Sequence, residues 1–180
     1  MLVDSFWTSI GSTDDEVVLI FQTDSGICTT CAEGLTIDDY AEYDLCGAPF
    51  VRNGKDYFNG GFSIRNVGMS RKLLKYYDVK NEVPYEDAFF SDACTLEKGC
   101  KQCSKESANI FSVEQKQPNG DVMAFHKNWG YGVEPPCSFS KTIETLYKNY
   151  GKEKINHPHP PVNPKTWNPQ FKISRQIRAK

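Results

Sequence analysis

Val17-Val18-Leu19-Ile20-Phe21 constrains this chain more than any other stretch. Its five apolar residues run without alternation and empty into Gln22-Thr23-Asp24-Ser25-Gly26. A short β-branched run of this kind predicts a strand buried on both faces, as in a parallel sheet. It is far shorter than the ~20 apolar residues that cross a bilayer, and no other run in the chain comes closer. A buried strand that releases a carboxylate at its C-terminal end places it in the crevice where open α/β sheets bind ligands. Asp24 is therefore the most informative residue, although a plain turn capped by Asp24, Ser25 and Gly26 would read the same way.

Strands and helices interleave along the rest of the chain. Phe6, Trp7 and Ile10 stand at helical spacing within residues 4–10, and Gly11 ends the helix. Thr36 followed by Asp39 reads as a helix start, with the helix ending before Gly47-Ala48-Pro49. Asn59-Gly60-Gly61 reads as a tight turn, and Phe62-Ser63-Ile64-Arg65 as a short strand after it. Ser70 is placed to cap a helix through Leu73, Leu74, Tyr76 and Tyr77. Pro84 suits the first turn of another helix, carrying Glu86, Asp87, Phe89 and Phe90. Residues 98–107 read as a polar loop. Residues 110–113 and 122–125 read as two strands, with Pro118-Asn119-Gly120 turning between them. An amphipathic helix is expected over 140–150, closed by Gly151. About four strands are visible, so an α/β class with an incomplete sheet is expected.

At 180 residues the chain suits one domain. The net charge of −2 argues against a general polyanion binder, so no nucleic-acid partner is expected. That charge is uneven: residues 151–180 carry +6 and the first 150 carry −8. The last stretch holds HPHPPVNPKTWNP and reads as a basic, proline-rich tail. Its cations, with Trp167 and Phe171 among them, could touch a membrane surface or nucleic acid, but a disordered terminus suits the composition better. Seven cysteines cannot all pair internally. With no basic n-region and apolar h-region at the start, reduced thiols in a cytoplasmic setting are expected.

Several residues could carry chemistry. Glu86 and Asp87 sit where a helix start favours carboxylates, and a carboxylate beside an aromatic pair could take a proton from a hydroxyl. His126 ends an apolar run, where a histidine is either a metal ligand or a hydrogen-bonded, half-buried ring. Asn59-Gly60-Gly61 would let a ligand approach the backbone, or simply turn a hairpin. Cys28/Cys31 and Cys100/Cys103 form two C-x-x-C pairs that could share a structural zinc. However, 68 residues separate Cys31 from Cys100, far more than a ribbon or finger uses. Redox catalysis would want a C-x-x-C opening a helix after a strand, which Lys98-Gly99 before Cys100 does not supply.

Taken in order, Phe21-Gln22-Thr23-Asp24-Ser25, Tyr43-Asp44 with Gly47-Ala48-Pro49, and Asn59-Gly60-Gly61-Phe62-Ser63-Ile64-Arg65-Asn66 resemble a glycosyltransferase-like family. That family is a domain of unknown function related to the GT-A nucleotide-sugar transferases. The resemblance continues through Glu86-Asp87-Ala88-Phe89-Phe90-Ser91, Phe111-Ser112-Val113-Glu114 and Phe125-His126-Lys127-Asn128-Trp129, covering roughly residues 5–130. It implies a GT-A-like (Rossmann-like) mixed sheet flanked by helices, over a partial catalytic domain of residues 1–150. A nucleotide diphosphate would be held through Mn²⁺ or Mg²⁺.

Under the resemblance, Asp24 fills the last acid of the D-x-D motif and His126 is a second metal ligand, while Gln22 replaces the motif's first acid. Asp87, with Glu86 as runner-up, is the implied general base of an inverting transfer. Gln22, Thr23, Ser25, Asn59, Gly60, Gly61, Arg65, Lys127 and Trp129 are the implied donor- and acceptor-binding residues. The partners implied are a nucleotide-sugar donor and a glycan or protein acceptor.

Members of the family begin with further βα units, and a βαβ unit of about 30 residues has no room before Val17. The nucleotide-binding N-terminal portion is therefore expected to be truncated, leaving an edge that would invite a partner chain. The alternatives are an inactive transferase-like fragment or pseudoenzyme that binds a sugar or protein, and, further off, a zinc-binding domain.

Overall fold

The computed structural model describes residues 2–28, 35–52, 54–77, 85–116 and 121–127. Helix α1 (Asp4–Ile10) forms as its spacing predicts, and the N–H of Gly11 closes it on the carbonyl of Trp7. Trp7 is the fully buried residue of α1, set edge-on against Phe90 with ring centroids 5.5 Å apart.

Strand β1 (Val17–Phe21) is not the doubly buried parallel strand expected. It lies at the edge of an antiparallel sheet ordered β1-β4-β3, its residues are half-buried, and Phe21 is 67% exposed. The centre of that sheet is β4 (Lys55–Asn66), twelve residues long. β4 absorbs the expected Asn59-Gly60-Gly61 turn. Its pairing with β3 (Leu45–Arg52) slips between Gly47↔Ser63 and Pro49↔Phe58, so residues 59–62 bulge out of the ladder. A bulge bends its strand and re-aims side chains. β3 itself occupies the Gly47-Ala48-Pro49 segment expected to follow a helix. The capping box at Thr36 and Asp39 starts only a 3₁₀ turn, Ile37–Tyr40.

A second sheet, ordered β2-β6-β5, joins Ser25–Ile27 (β2), Ala124–His126 (β6) and Ser112–Val113 (β5). β2 runs antiparallel to β6, and β5 runs parallel to it, so β5 and β6 are not the two arms of a hairpin. Among the described residues there are thus six strands rather than about four, in a mixed α/β arrangement of small sheets flanked by helices.

Helix α2 (Val67–Tyr76) is capped by Asn66, whose Oδ1 accepts from the Met69 N–H at 2.7 Å, and not by Ser70, which is buried inside it. Helix α3 (Glu86–Leu96) buries Phe89, Phe90, Ala93 and Cys94, an i, i+4 stripe against the large sheet. Helix α4 (Lys105–Phe111), capped by Ser104, occupies part of the segment expected to be a loop. Pro84, the 118–120 turn, Trp129, the helix expected over 140–150 and the basic tail lie outside the described residues. No helix among the described residues is long and apolar enough to cross a membrane.

The cysteines correct the expectation of reduced thiols. Cys46 of β3 is bonded to Cys103, and Cys94 of α3 to Cys100, each pair with Cα atoms 5.3 Å apart. Both sulfurs of the Cys100-x-x-Cys103 pair are therefore consumed, one tying the loop to α3 and the other to β3, and neither is a thiolate for zinc. Disulfides persist in oxidising compartments, which runs against the cytoplasmic expectation.

Candidate functional site

The bulge in β4 leans on the turn that follows β1. The Gly61 carbonyl accepts from the Gln22 N–H at 2.8 Å and from the Ser25 hydroxyl at 2.7 Å. The Asn59 side chain accepts from the Gly61 N–H at 2.7 Å, so Asn59 shapes the bulge it belongs to. On the far side of the turn, the Asp24 carbonyl accepts from the Lys127 N–H at 3.0 Å. Lys127 takes φ = 48°, a left-handed conformation uncommon for a residue with a side chain. The chain thus bends sharply just after His126, which pairs with Ser25 in the small sheet.

These contacts bring His126 to the turn from 104 positions away. Its Nε2 lies 3.1 Å from Gln22 Oε1 and 3.3 Å from Asp24 Oδ1. Gln22 and Thr23 are exposed and Asp24 is half-buried, so the group faces solvent on the turn side. The imidazole is 4% exposed, and Gly61 is what admits it. A Cβ at Gly61 would collide with ring atoms of His126. The opposite ring nitrogen, Nδ1, lies 3.2 Å from Glu114 Oε1, and Glu114 is itself 4% exposed. Glu114 was read in sequence only as part of the Phe111-Ser112-Val113-Glu114 resemblance, with no role of its own. It follows a strand of only two residues, which offers no periodic signal that would mark it as buried.

Gly60 faces a second charged group. A Cβ there would collide with Glu86 Oε1 and come within 3.2 Å of Arg65 Nη2. The space freed by both glycines is filled by the chain's own side chains, not left open to a ligand. Arg65 is 1% exposed, stacked over Phe90 at 4.7 Å, with its Nε donating to Ser63 Oγ at 3.2 Å. It lies in the core rather than in an open binding surface. Its Nη2 stands 3.7 Å from Glu86 Oε1, too far for a direct hydrogen bond. Burial pulls the Arg65 guanidinium below its ordinary value, while the charges of Glu86 and Asp87 act in the opposite sense.

Glu86 and Asp87 open α3. Burial pushes the Asp87 carboxyl up to about 6, and the neighbouring Glu86 charge adds to the shift. The Ala88 N–H and Arg65 oppose it, and Glu114 pushes it further up. A carboxyl at that value is largely ionised at neutral pH yet basic enough to accept a proton.

Among the described residues, no group of three His, Cys, Asp or Glu side chains is placed to hold a metal ion. The donors that do converge are Asp24 Oδ1, His126 Nε2 and Gln22 Oε1. Ligand atoms on adjacent positions of a six-coordinate Mg²⁺-like ion stand about 3 Å apart. The separations of 3.1 and 3.3 Å from His126 Nε2 equal that edge, and are equally hydrogen-bond distances, so two oxygens and an imidazole nitrogen stand close enough together to share one cation. Trp129, the remaining expected binding residue, lies outside the described residues.

Fold and site together define a mixed α/β protein with a carboxylate–histidine cluster beside a bulged strand. A family model described as "Protein of unknown function (DUF5672)" matches residues 1–130, and the chain belongs to that family. No curated protein and no solved structure matches it.

Proposed function

We propose that this chain is a GT-A-like glycosyltransferase that moves a sugar from a nucleotide-sugar donor to a hydroxyl acceptor, with assistance from Mn²⁺ or Mg²⁺. The observation that carries the reading is the meeting of Asp24 and His126 at the ends of two strands, with Gln22 beside them. Asp24, His126 and Gln22 would hold the cation. When bound, it would offset charge on the departing diphosphate, a transition-state electrostatic role.

The remaining work falls to the chain's own groups. Glu86 is drawn toward Arg65, which leaves Asp87 as the base. Asp87 takes the acceptor hydroxyl proton as the oxygen attacks the anomeric carbon. The bond from that carbon to the diphosphate oxygen breaks, and its electron pair leaves with the diphosphate, inverting the configuration. Thr23, Ser25 and Lys127 border the cation group, where the diphosphate would lie.

Thermal unfolding with Mn²⁺ and a panel of nucleoside diphosphates and nucleotide sugars tests this reading. A ligand at about 100 times its dissociation constant adds roughly 2.7 kcal/mol of stability. A metal-dependent shift with one nucleotide, lost in Asp24→Ala, is the expected result. A cooperatively folded protein that no nucleotide stabilises, with or without metal, overturns the reading in favour of a transferase-like binding protein.

A further inference from the structure

Glu114 is a buried carboxylate that the proposed transfer does not use. A buried charge is costly unless paired, and Glu114 meets the His126 ring at 3.2 Å and the Gln115 amide at 3.5 Å. His126 has a matching need. Its Nδ1 is buried without a hydrogen bond of good geometry, and Glu114 Oε1 is the acceptor within reach. We infer that Glu114 is a positioning residue that keeps the His126 proton on Nδ1 and turns the Nε2 lone pair toward Gln22 and Asp24.

The argument is one of donors and acceptors. A neutral imidazole has one N–H and one lone pair. With the proton on Nε2, the Nδ1 lone pair would face a carboxylate oxygen in a buried setting, where such repulsion is poorly screened. With the proton on Nδ1, the ring donates to Glu114 after a small rotation. The Nε2 lone pair then faces Asp24 Oδ1 at 3.3 Å, but that side chain is 24% exposed and screened by water, unlike Glu114, and the exposed Gln22 amide can turn its NH₂ toward the lone pair. A cation would take that lone pair instead, with the Gln22 amide turned back to present Oε1. A carboxylate on the far nitrogen of a ligating histidine fixes its tautomer and raises its basicity. The consequence for the cation rests on the metal-assisted reading above, whereas the tautomer does not.

Long-range ¹H–¹⁵N spectra read directly which ring nitrogen carries the proton. The chain has three histidines, and His126→Asn assigns the signal. The wild type is expected to show Nδ1–H, and Glu114→Gln to retain it because the amide oxygen still accepts. Glu114→Ala is expected to shift toward Nε2–H, with Mn²⁺ affinity by direct titration falling about 10–100-fold. Nε2–H in the wild type, or unchanged Nδ1–H in a folded Glu114→Ala protein, overturns the inference. Should Glu114→Ala fail to fold, the wild-type spectrum decides alone. Nδ1–H in a wild type that binds no Mn²⁺ supports the role of Glu114 and overturns the metal reading instead.

Discussion

Replacing Cys46 and Cys103 together by alanine removes the cross-link between β3, a strand of the large sheet, and the residues just before α4, the helix that packs against it. The bond spans 57 positions, and chain-entropy arithmetic for a loop of that length gives about 4 kcal/mol. The Cys94–Cys100 bond closes only 6 positions, for which the same relation gives about 2 kcal/mol. Against a total of roughly 5–15 kcal/mol for a domain, the first loss is severe and the second tolerable. Urea unfolding followed by tryptophan fluorescence, for which Trp7 is a buried reporter, measures both. The Cys46/Cys103 variant should lose more stability than the Cys94/Cys100 variant, by about 1–2 kcal/mol. Its dependence on urea should also steepen, because a less constrained denatured chain exposes more surface. Alkylation of the native, unreduced protein that labels Cys46 and Cys103 as free thiols would refute the reasoning. Equal stability of the variant and wild type would do the same.

Other outcomes follow from the site and the core. Gly61→Ala drives a Cβ into the His126 ring, so it should cost about 1–3 kcal/mol and abolish Mn²⁺ binding, whereas Gly60→Ala meets the movable end of Glu86 and should cost less. Asp87 has a folded value of about 6, above its ordinary value of 3.8, so the folded state favours the protonated carboxyl. Stability from that group is complete below pH about 4 and is lost as pH rises through about 6. Asp87→Asn should therefore raise stability at neutral pH by about 2–3 kcal/mol, with the gain vanishing in acid, while removing turnover that in the wild type rises through pH about 6. Tyr77→Phe removes a 3.1 Å hydrogen bond to the buried Glu97 carboxylate and should cost about 1.5–3 kcal/mol in the same urea assay.

Local order was legible where one residue type decides it. Gly11 ends α1, Phe89 and Phe90 lie on the buried face of α3, and the Thr36/Asp39 box forms as read, although it starts a 3₁₀ turn and not the helix expected from it. The same local reading placed Asp24 and His126 at strand ends, because an apolar run followed by a polar residue marks where a strand leaves the core.

Partnership was not legible. Val17–Phe21 has the composition of a doubly covered strand, yet its apolar run is satisfied at an edge by β4 on one side and half-burial elsewhere. Asn59-Gly60-Gly61 carries a turn signature, yet long-range ladders on both flanks hold it inside one strand as a bulge. The Cys100-x-x-Cys103 spacing suggests a local pair, but each sulfur bonds a residue brought to it by another element. Glu114 becomes the neighbour of His126 only because β5 and β6 run in parallel. Sequence by itself determined features set by near neighbours in the chain, such as the Gly11 stop of α1 and the acidic start of α3, but not the Asn59-Gly60-Gly61 segment or the cap of α2. The tertiary structure alone decided which charges and sulfurs meet, since that depends on pairings between segments tens of residues apart.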